Sequence, residues 1–213
     1  MSYFEVLVEG ASDAPTVREV LVRRFGLVEG QDFRIHPHKG RGSLPANPLA
    51  RPDPKHQGLL HQLPAKLQGF GRYLGRDACV LVVVDVDDTP CHQLLADLQE
   101  MLALLPSRPP NVLFRLAIEE TESWFIADAR AVGMAYPKAR LQRMRAVAPD
   151  SICGAWEVLA AALGYKPDEV TGADKFAWAK AIAPHLNLTT PASPSLDRLL
   201  RGIARELANG SAA

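Results

Sequence analysis

The sequence predicts an α/β protein built on an open, mainly parallel β-sheet, with helices on both faces and a helical C-terminal part. Apolar, strand-like runs alternate with helical spacings over the first two thirds of the chain, and the last third has helical spacings only. One run, "CVLVVV" at 79–84, is continuously apolar, which indicates a central strand covered on both faces. With 213 residues, 47% of them hydrophobic, the chain is long and apolar enough to bury such a core.

The elements follow in order along the chain. Residues 3–8 alternate and then become apolar, as a strand does, and Ser12, Asp13 and Pro15 supply cap and first-turn residues for a helix that ends near Phe25. Further strands are predicted at 33–36, 79–84 and 112–118. Further helices are predicted at 58–74, 90–105, 119–128, 151–163, 173–186 and 195–208. Trp124, Trp156 and Trp178 follow apolar helix faces and are therefore expected in the core.

The division of the chain is expected to be an α/β core at 1–130 and a helical extension at 131–213, packed together as one structural unit. No apolar run approaches the roughly 20 residues that a membrane span requires. The first residues also lack the basic-then-apolar pattern of a secretion signal, so we expect a cytoplasmic protein that does not bind membranes. Three cysteines without a C-x-x-C pair support neither a disulfide framework nor a zinc knuckle.

The charges are unevenly distributed although the formal net charge is zero. Residues 34–76 carry eight Lys or Arg against the single acid Asp53, and residues 130–145 carry five Lys or Arg and no acid. Between them, residues 85–128 carry nine acids against Arg108 and Arg115. An acidic centre with basic flanks is what a metal site that processes a polyphosphate or a nucleic acid needs. Solvated helix faces can produce the same distribution, so the pattern alone does not decide between the two.

Carboxylates follow three of the predicted strands at their carboxyl ends. They are Glu9, Asp85, Asp87, Glu119 and Glu120. Because ligands of an open parallel sheet bind outside the carboxyl ends of its strands, we expect these acids to meet at one edge. Such a group of like charges is stabilised by a hard divalent cation with oxygen ligands, and Mg²⁺ is the expected ion. Glu119 and Glu122 are three residues apart at the start of a helix and lie on the same helix face.

Each of these acids also has a purely structural interpretation. Glu9 lies at a strand-to-helix turn, the aspartates after 79–84 precede a helix that they could cap, and acids in a first helical turn are favoured by the helix dipole. For any single position, a structural role and a metal-binding role account for the acid equally well. For acids at the ends of all three strands together, metal binding is the better explanation.

Two motifs resemble those of the Toprim fold, which occurs in topoisomerases, primases and OLD-family nucleases. They are "VEGASD" at the end of the first strand and "DVD" at the end of a later one. The "HKGRG" loop, "LLHQLPAKL", "VVVDVDD" and "IEETESWFIAD" are more closely similar to a bacterial family that is Toprim-like and related to the OLD nucleases. This resemblance covers nearly the whole chain, as far as "SPS" near its end. It implies a Toprim/Rossmann-like sheet.

The resemblance also implies site residues and a reaction. Glu9, Asp85 and Asp87 would bind or serve Mg²⁺ in phosphodiester chemistry, and further carboxylates would complete a two-metal site. The candidates for that second group are Glu119, Glu120 and Glu122. Two cations, Mg²⁺ or Mn²⁺, would then activate water and stabilise the leaving oxygen at phosphorus. Because no ATPase module precedes the Toprim-like part of this sequence, an ATPase partner would be a separate protein.

Basic side chains near these acids are candidates for holding the phosphate. The loop "HPHKGRG" offers His38, Lys39 and Arg41 together with glycines that let the backbone approach closely, although an ordinary solvent loop has a similar composition. Lys175 lies in the first turn of a predicted helix, where a cation opposes the helix dipole. An anionic neighbour would account for a lysine at this position, so Lys175 is a catalytic candidate. The alternative is an ordinary solvated lysine.

The expected function is a divalent-metal-dependent nuclease or phosphodiesterase that acts on nucleic acid, with a role in phage defence or DNA repair extrapolated from the resemblance. Two alternatives stay open. "VLVVVDVDDT" also fits a haloacid-dehalogenase-like phosphatase in which Asp85 attacks phosphorus, Asp87 is the acid/base and Thr89 assists, but that pattern usually occupies the first strand and leaves Glu9 without a role. The other alternative is a non-catalytic Toprim-like subunit of a larger defence complex.

Overall fold

A computed structural model of the chain describes residues 3–86, 89–118, 120–151 and 154–211. Its centre is a four-stranded sheet in which neighbouring strands are parallel and the order is β2-β1-β3-β4. The strands are β1 (Tyr3–Val8), β2 (Phe33–Pro37), β3 (Ala78–Asp85) and β4 (Asn111–Ala117). All four lie within two residues of their predicted positions, and the predicted parallel sheet is confirmed.

The helices occupy both faces of this sheet. They are α1 (Asp13–Glu19), α2 (Leu59–Phe70), α3 (Cys91–Leu104), α4 (Glu122–Ile126), α5 (Ala129–Ala135), α6 (Gln142–Arg145), α7 (Ala155–Leu163), α8 (Gly172–Ile182) and α9 (Pro194–Ser211). A π-helical turn at Val20–Arg24 continues α1, so this segment is helical to the predicted end near Phe25. None of the helices in the described ranges combines the length and the apolar character that crossing a bilayer requires.

Strand β3 is buried on both faces, as its continuous apolar run predicts. Val80, Val82 and Val84 pack against α2 and α3 on one face of the sheet. On the other face, Leu81 and Val83 belong to the core that contains α1 and the C-terminal helices. Successive residues of a strand point to opposite faces, so only a strand between two helical layers needs an apolar side chain at every position.

The C-terminal helices share one hydrophobic core with the sheet. Helix α8 packs on α1, and α9 packs on β4. Trp124 on α4 and Trp178 on α8 are almost fully buried in this core, as expected from their helical spacing. The short helices α5 and α6 were not predicted, and the helix expected at 119–128 is limited to α4. These segments carry too few periodic apolar positions for a helix to be recognised from spacing alone.

Two glycines allow the loop after β2 to lie against the start of α2. Leu59 and Leu60 donate backbone hydrogen bonds to the carbonyls of Gly40 and Arg41 at 2.8 and 2.7 Å. A Cβ on Gly58 would lie 2.9 Å from both the Cα and the backbone nitrogen of Gly42. Because these neighbours are backbone atoms, they cannot move aside without displacing the loop.

We therefore expect Gly58→Ala to lower the free energy of unfolding by about 1–3 kcal/mol, since the added methyl group separates the loop from α2. Gly69→Ala is the matched control, because Gly69 also lies in α2 and its Cβ would have no neighbour within 4 Å. That control should be neutral or stabilise by up to about 1 kcal/mol through helix propensity. Urea unfolding of both variants measures the difference, and equal stabilities would show that the close approach is not required.

Candidate active site

Acids from the ends of two strands meet at the carboxyl edge of the sheet. Strands β1 and β3 are neighbours, and Glu9 follows β1 directly. Its carboxylate atom Oε1 accepts a hydrogen bond of 2.7 Å from the backbone N–H of Asp85, the last residue of β3. Glu9 is only 9% exposed. The predicted convergence of the β1 and β3 acids is therefore observed for Glu9 and Asp85.

A further buried acid, Asp13, joins this edge although the sequence indicated only a helix-cap role. Its Oδ2 accepts a hydrogen bond of 2.8 Å from the backbone N–H of Gly10, and its Oδ1 accepts one of 2.8 Å from the Thr121 hydroxyl. Asp13 is thus connected to its own turn and to the segment before α4. Ser12, the expected cap residue, makes no side-chain cap hydrogen bond. An acid four positions after a strand-end glutamate is the only sequence signal that Asp13 belongs to the site.

Glu120 is held by two C-terminal helices. Its Oε1 lies 3.2 Å from the Lys175 ammonium on α8, and its Oε2 accepts a hydrogen bond of 3.3 Å from the backbone N–H of Trp156 on α7. The same ammonium lies 4.6 Å from the centroid of the Trp156 ring. Glu120 is thus the anionic neighbour that the position of Lys175 required. Trp156 is only partly buried, because it packs against the core on one side and contacts this group on the other.

The edge carries excess negative charge, and this changes how its acids ionise. Burial and the charges of Asp13, Glu9, Glu122 and Glu120 raise the pKa of Asp85 well above its usual range. Burial also raises the pKa of Glu122 to about 7; Lys175 opposes this rise, and Glu120 and Asp13 add to it. The pKa of Asp13 is raised by burial as well, although its hydrogen bonds oppose the shift. The charge of Lys175 opposes the shifts of Glu122 and Asp13 but does not cancel them.

The described acids do not, as they stand, form a coordination sphere. Glu9, Asp85, Glu120 and Glu122 share the edge, but no three His, Cys, Asp or Glu side chains within the described ranges are arranged to hold a metal ion. Two predicted ligands, Asp87 and Glu119, lie outside the described residues. Carboxylate oxygens are nevertheless the donors that Mg²⁺ prefers, and a cation would replace the protons that the raised pKa values retain, so the chemistry of the donor set fits the ion.

The predicted phosphate-binding residues separate into two places. The Arg41 guanidinium donates a hydrogen bond of 2.9 Å from Nη2 to the Thr89 hydroxyl, so it reaches the segment that follows β3. His38 directly follows β2, and its side chain lies beside the end of β1, where Nδ1 is 2.8 Å from the Val8 carbonyl. Lys39 is exposed, and its backbone N–H donates to the Gln57 carbonyl.

The loop that carries these residues is attached to the acidic edge through its backbone. The N–H of Gly40 donates a hydrogen bond of 2.9 Å to the Glu9 carbonyl. The N–H of His38 donates one of 3.1 Å to the Val8 carbonyl, which continues the ladder between β1 and β2. The loop is therefore built onto the sheet and onto α2, unlike an ordinary solvent loop.

Comparisons of this chain with protein-family models, with curated proteins and with solved structures found no match. The relationship to Toprim proteins and OLD nucleases thus stays a prediction from sequence motifs. A function has to be argued from the chemistry of the site itself.

The raised pKa of Glu122 predicts how stability depends on pH when no divalent ion is present. Between the usual value of 4.5 and about 7, folded Glu122 keeps a proton that the unfolded chain releases. Stability is therefore lost as the pH rises through this range, by on the order of 3 kcal/mol for this group. Glu122→Gln should remove most of this loss and be more stable than the wild type at pH 8.

Urea unfolding in the presence of a chelator, repeated from pH 4 to pH 8, measures this dependence. Glu100→Gln, which changes an exposed glutamate on α3, is the control and should follow the wild-type curve. Parallel curves for the wild type and Glu122→Gln would contradict the assignment of the loss to Glu122.

Proposed function

We propose that this chain is a divalent-metal-dependent phosphodiester hydrolase that acts on nucleic acid, with Mg²⁺ or Mn²⁺ as its cofactor. The observation that carries the proposal is the group of acids at one edge of the sheet, where Glu9 accepts the Asp85 backbone N–H and Asp13 accepts the Thr121 hydroxyl. The charges of these neighbours also raise the pKa of Asp85. Like charges so close to one another destabilise the fold unless a cation compensates them.

The ligands proposed for the cations are Glu9, Asp85 and Glu122, with Asp87 and Glu119 as further candidates. When bound, the metal supplies positive charge for the phosphate and lowers the pKa of its water. Glu9 and Asp13 accept hydrogen bonds from backbone and hydroxyl groups. Those contacts orient the carboxylates, as outer contacts of metal ligands generally do.

The chain's own side chains supply the remaining chemistry. Burial raises the pKa of Glu122 to about 7 without a metal ion, so as a ligand this carboxyl would release its proton when a cation binds at neutral pH. Lys175 places a positive charge beside Glu120 and is proposed to hold that carboxylate in position while it reduces the negative charge that an incoming phosphate meets. Arg41, which reaches Thr89, is proposed to bind a phosphate oxygen.

The hydrolase proposal predicts Mg²⁺- or Mn²⁺-dependent cleavage of supercoiled DNA or of single-stranded RNA by the purified chain. Asp85→Asn keeps the shape of the side chain but removes its charge, and we expect a loss of about 100-fold or more in rate. Asp168→Asn is the control, because Asp168 is exposed in the turn at Pro167–Glu169 and is not one of the acids of the site. Gel assays of nicking and cleavage, with and without a chelator, measure the effect.

Other results of that experiment separate the alternatives. A phosphoaspartate trapped on Asp85 would support the phosphatase. Cleavage that survives Asp85→Asn would contradict the assigned site. A wild-type chain that hydrolyses none of the substrates with any of the ions, but co-purifies tightly with another protein, would support the non-catalytic subunit.

Metal binding itself has a readout that needs no activity. Mg²⁺ at ten times its dissociation constant should raise the free energy of unfolding at pH 7.5 by about 1.4 kcal/mol, because only the folded chain brings the acids together. Glu9→Gln and Asp85→Asn should each abolish this gain, whereas Asp168→Asn should retain it. Thermal unfolding in a titration with MgCl₂, against NaCl at the same ionic strength, measures the gain. The same rise in all variants would show that Mg²⁺ acts elsewhere.

A further inference from the structure

An open cavity of about 540 Å³ lies beside the acidic edge and is lined by positively charged side chains. Its lining includes Ala11, His38, Lys39, Gln57, Gln62 and Lys66. Ala11 is two residues from Glu9, so the turn after β1 separates this basic cavity from the acidic edge. The lining has two lysines and, in the part of the chain that the structure describes, no acidic side chain.

His38 presents an unpartnered polar atom in this region. Its Nδ1 lies 2.8 Å from the Val8 carbonyl, and because a carbonyl only accepts, Nδ1 must carry the hydrogen. The other ring nitrogen, Nε2, is buried and has no hydrogen-bond partner among the described residues. A buried polar atom without a partner usually costs about 1–3 kcal/mol. Burial lowers the pKa of His38, and the nearby charges of Lys66 and His36 add to the shift, so in the neutral ring Nε2 is an acceptor. A bound anion favours the protonated ring, in which Nε2 becomes a donor and gains a partner.

Lys66 presents a second unsatisfied group. The lysine is half-buried on α2, and burial lowers its pKa. Its ammonium makes no ion pair with any described residue. The nearby carboxylate of Glu5 is instead paired with His36, 2.5 Å from its Nε2. The charge of Glu5 partly opposes the lowering of the Lys66 pKa without forming an ion pair, so an anion in closer contact would stabilise the half-buried ammonium further.

Hydrogen bonds connect the residues that form the wall of the cavity. The Gln62 side chain on α2 donates a hydrogen bond of 2.6 Å to the His56 carbonyl, and the Gln57 side chain donates one of 3.3 Å to the Pro54 carbonyl. The backbone of Lys39 is bonded to Gln57 on the same wall. A ligand would thus meet a partly formed site, which reduces the entropy lost on binding.

We propose that this basic cavity is a phosphate-binding subsite in which Lys66 Nζ donates a hydrogen bond to a phosphate oxygen. His38 takes up a proton from solvent as the phosphate binds, so that its Nε2 donates a second hydrogen bond, and Lys39 adds charge at the opening. The occupant that fits an opening next to the acidic edge is a phosphate adjacent to the scissile one. This second step rests on the proposed function. It selects a strand with several phosphates as substrate over an isolated phosphate ester.

The subsite itself is tested without any metal. Inorganic phosphate is titrated into the chelator-treated chain, with NaCl at equal ionic strength as reference, and the ¹⁵N resonance of His38 Nε2 is followed by NMR. Saturable binding with a shift of that resonance is expected. Lys66→Met should weaken phosphate binding about tenfold or more, because it removes one charge-assisted hydrogen bond.

Two further variants make the result specific. His38→Asn keeps an amide donor where Nδ1 lies and removes Nε2, so it should weaken binding as Lys66→Met does. Lys180→Met changes an exposed lysine on α8 and should bind phosphate as the wild type does. Circular dichroism verifies folding, and Lys66→Gln replaces Lys66→Met if the latter does not fold. An absent or non-saturable response, or equal weakening by Lys180→Met, would overturn the subsite.

The substrate class is tested by kinetics. Lys66→Met should raise KM for an oligonucleotide about tenfold at unchanged kcat and leave hydrolysis of bis-p-nitrophenyl phosphate, which has one phosphate, unchanged. Equal effects on both substrates, or an effect on neither, would overturn the adjacent-phosphate role. Phosphate binding that Lys66→Met weakens, in a chain that hydrolyses nothing, would retain the subsite and refute the proposed function. Metal-dependent hydrolysis without phosphate binding would do the reverse.

Discussion

The parallel pairing of β1 with β3 is the constraint on which the candidate site depends. It places Glu9 beside the last residue of β3, where the Glu9 carboxylate accepts the Asp85 backbone N–H. The pairing is stabilised by the burial of both faces of β3, so the hydrophobic effect that organises the core also brings the acids together. Hydrophobic burial therefore balances the repulsion between carboxylates that the edge contains.

The acidic edge and the basic cavity lie on either side of the turn after β1 and carry opposite charges. At the acidic edge, the charges of neighbouring carboxylates raise the pKa of Asp85, and Lys175 pairs with Glu120. In the basic cavity, Lys66 makes no ion pair and His38 Nε2 has no hydrogen-bond partner among the described residues. A polyanion bound together with divalent cations would satisfy both at once. Functional sites commonly contain such unsatisfied groups, because side chains that are fully paired within the protein are not available to a ligand.

Much of the candidate site follows from local patterns. A strand-end acid is recognisable because strand periodicity locates the carboxyl end and a parallel sheet gathers these ends at one edge, which is how Glu9 and Asp85 could be predicted to meet. Asp13 was not singled out although it ends the "VEGASD" motif, since an acid at that position is also an ordinary first-turn residue. Lys66 was equally inconspicuous, because a lysine between the apolar positions of an amphipathic helix is usually solvated.

The sequence by itself determined the strands, the central position of β3, the helices on both faces and the acids at the strand ends, because these depend on periodicity and on residues close together in the chain. Only the tertiary structure decided that Lys175 reaches Glu120, 55 positions earlier, and that His38 and Lys66 face one cavity. Those contacts depend on how helices pack on the sheet. Packing joins distant segments through shape and burial, which no local pattern encodes.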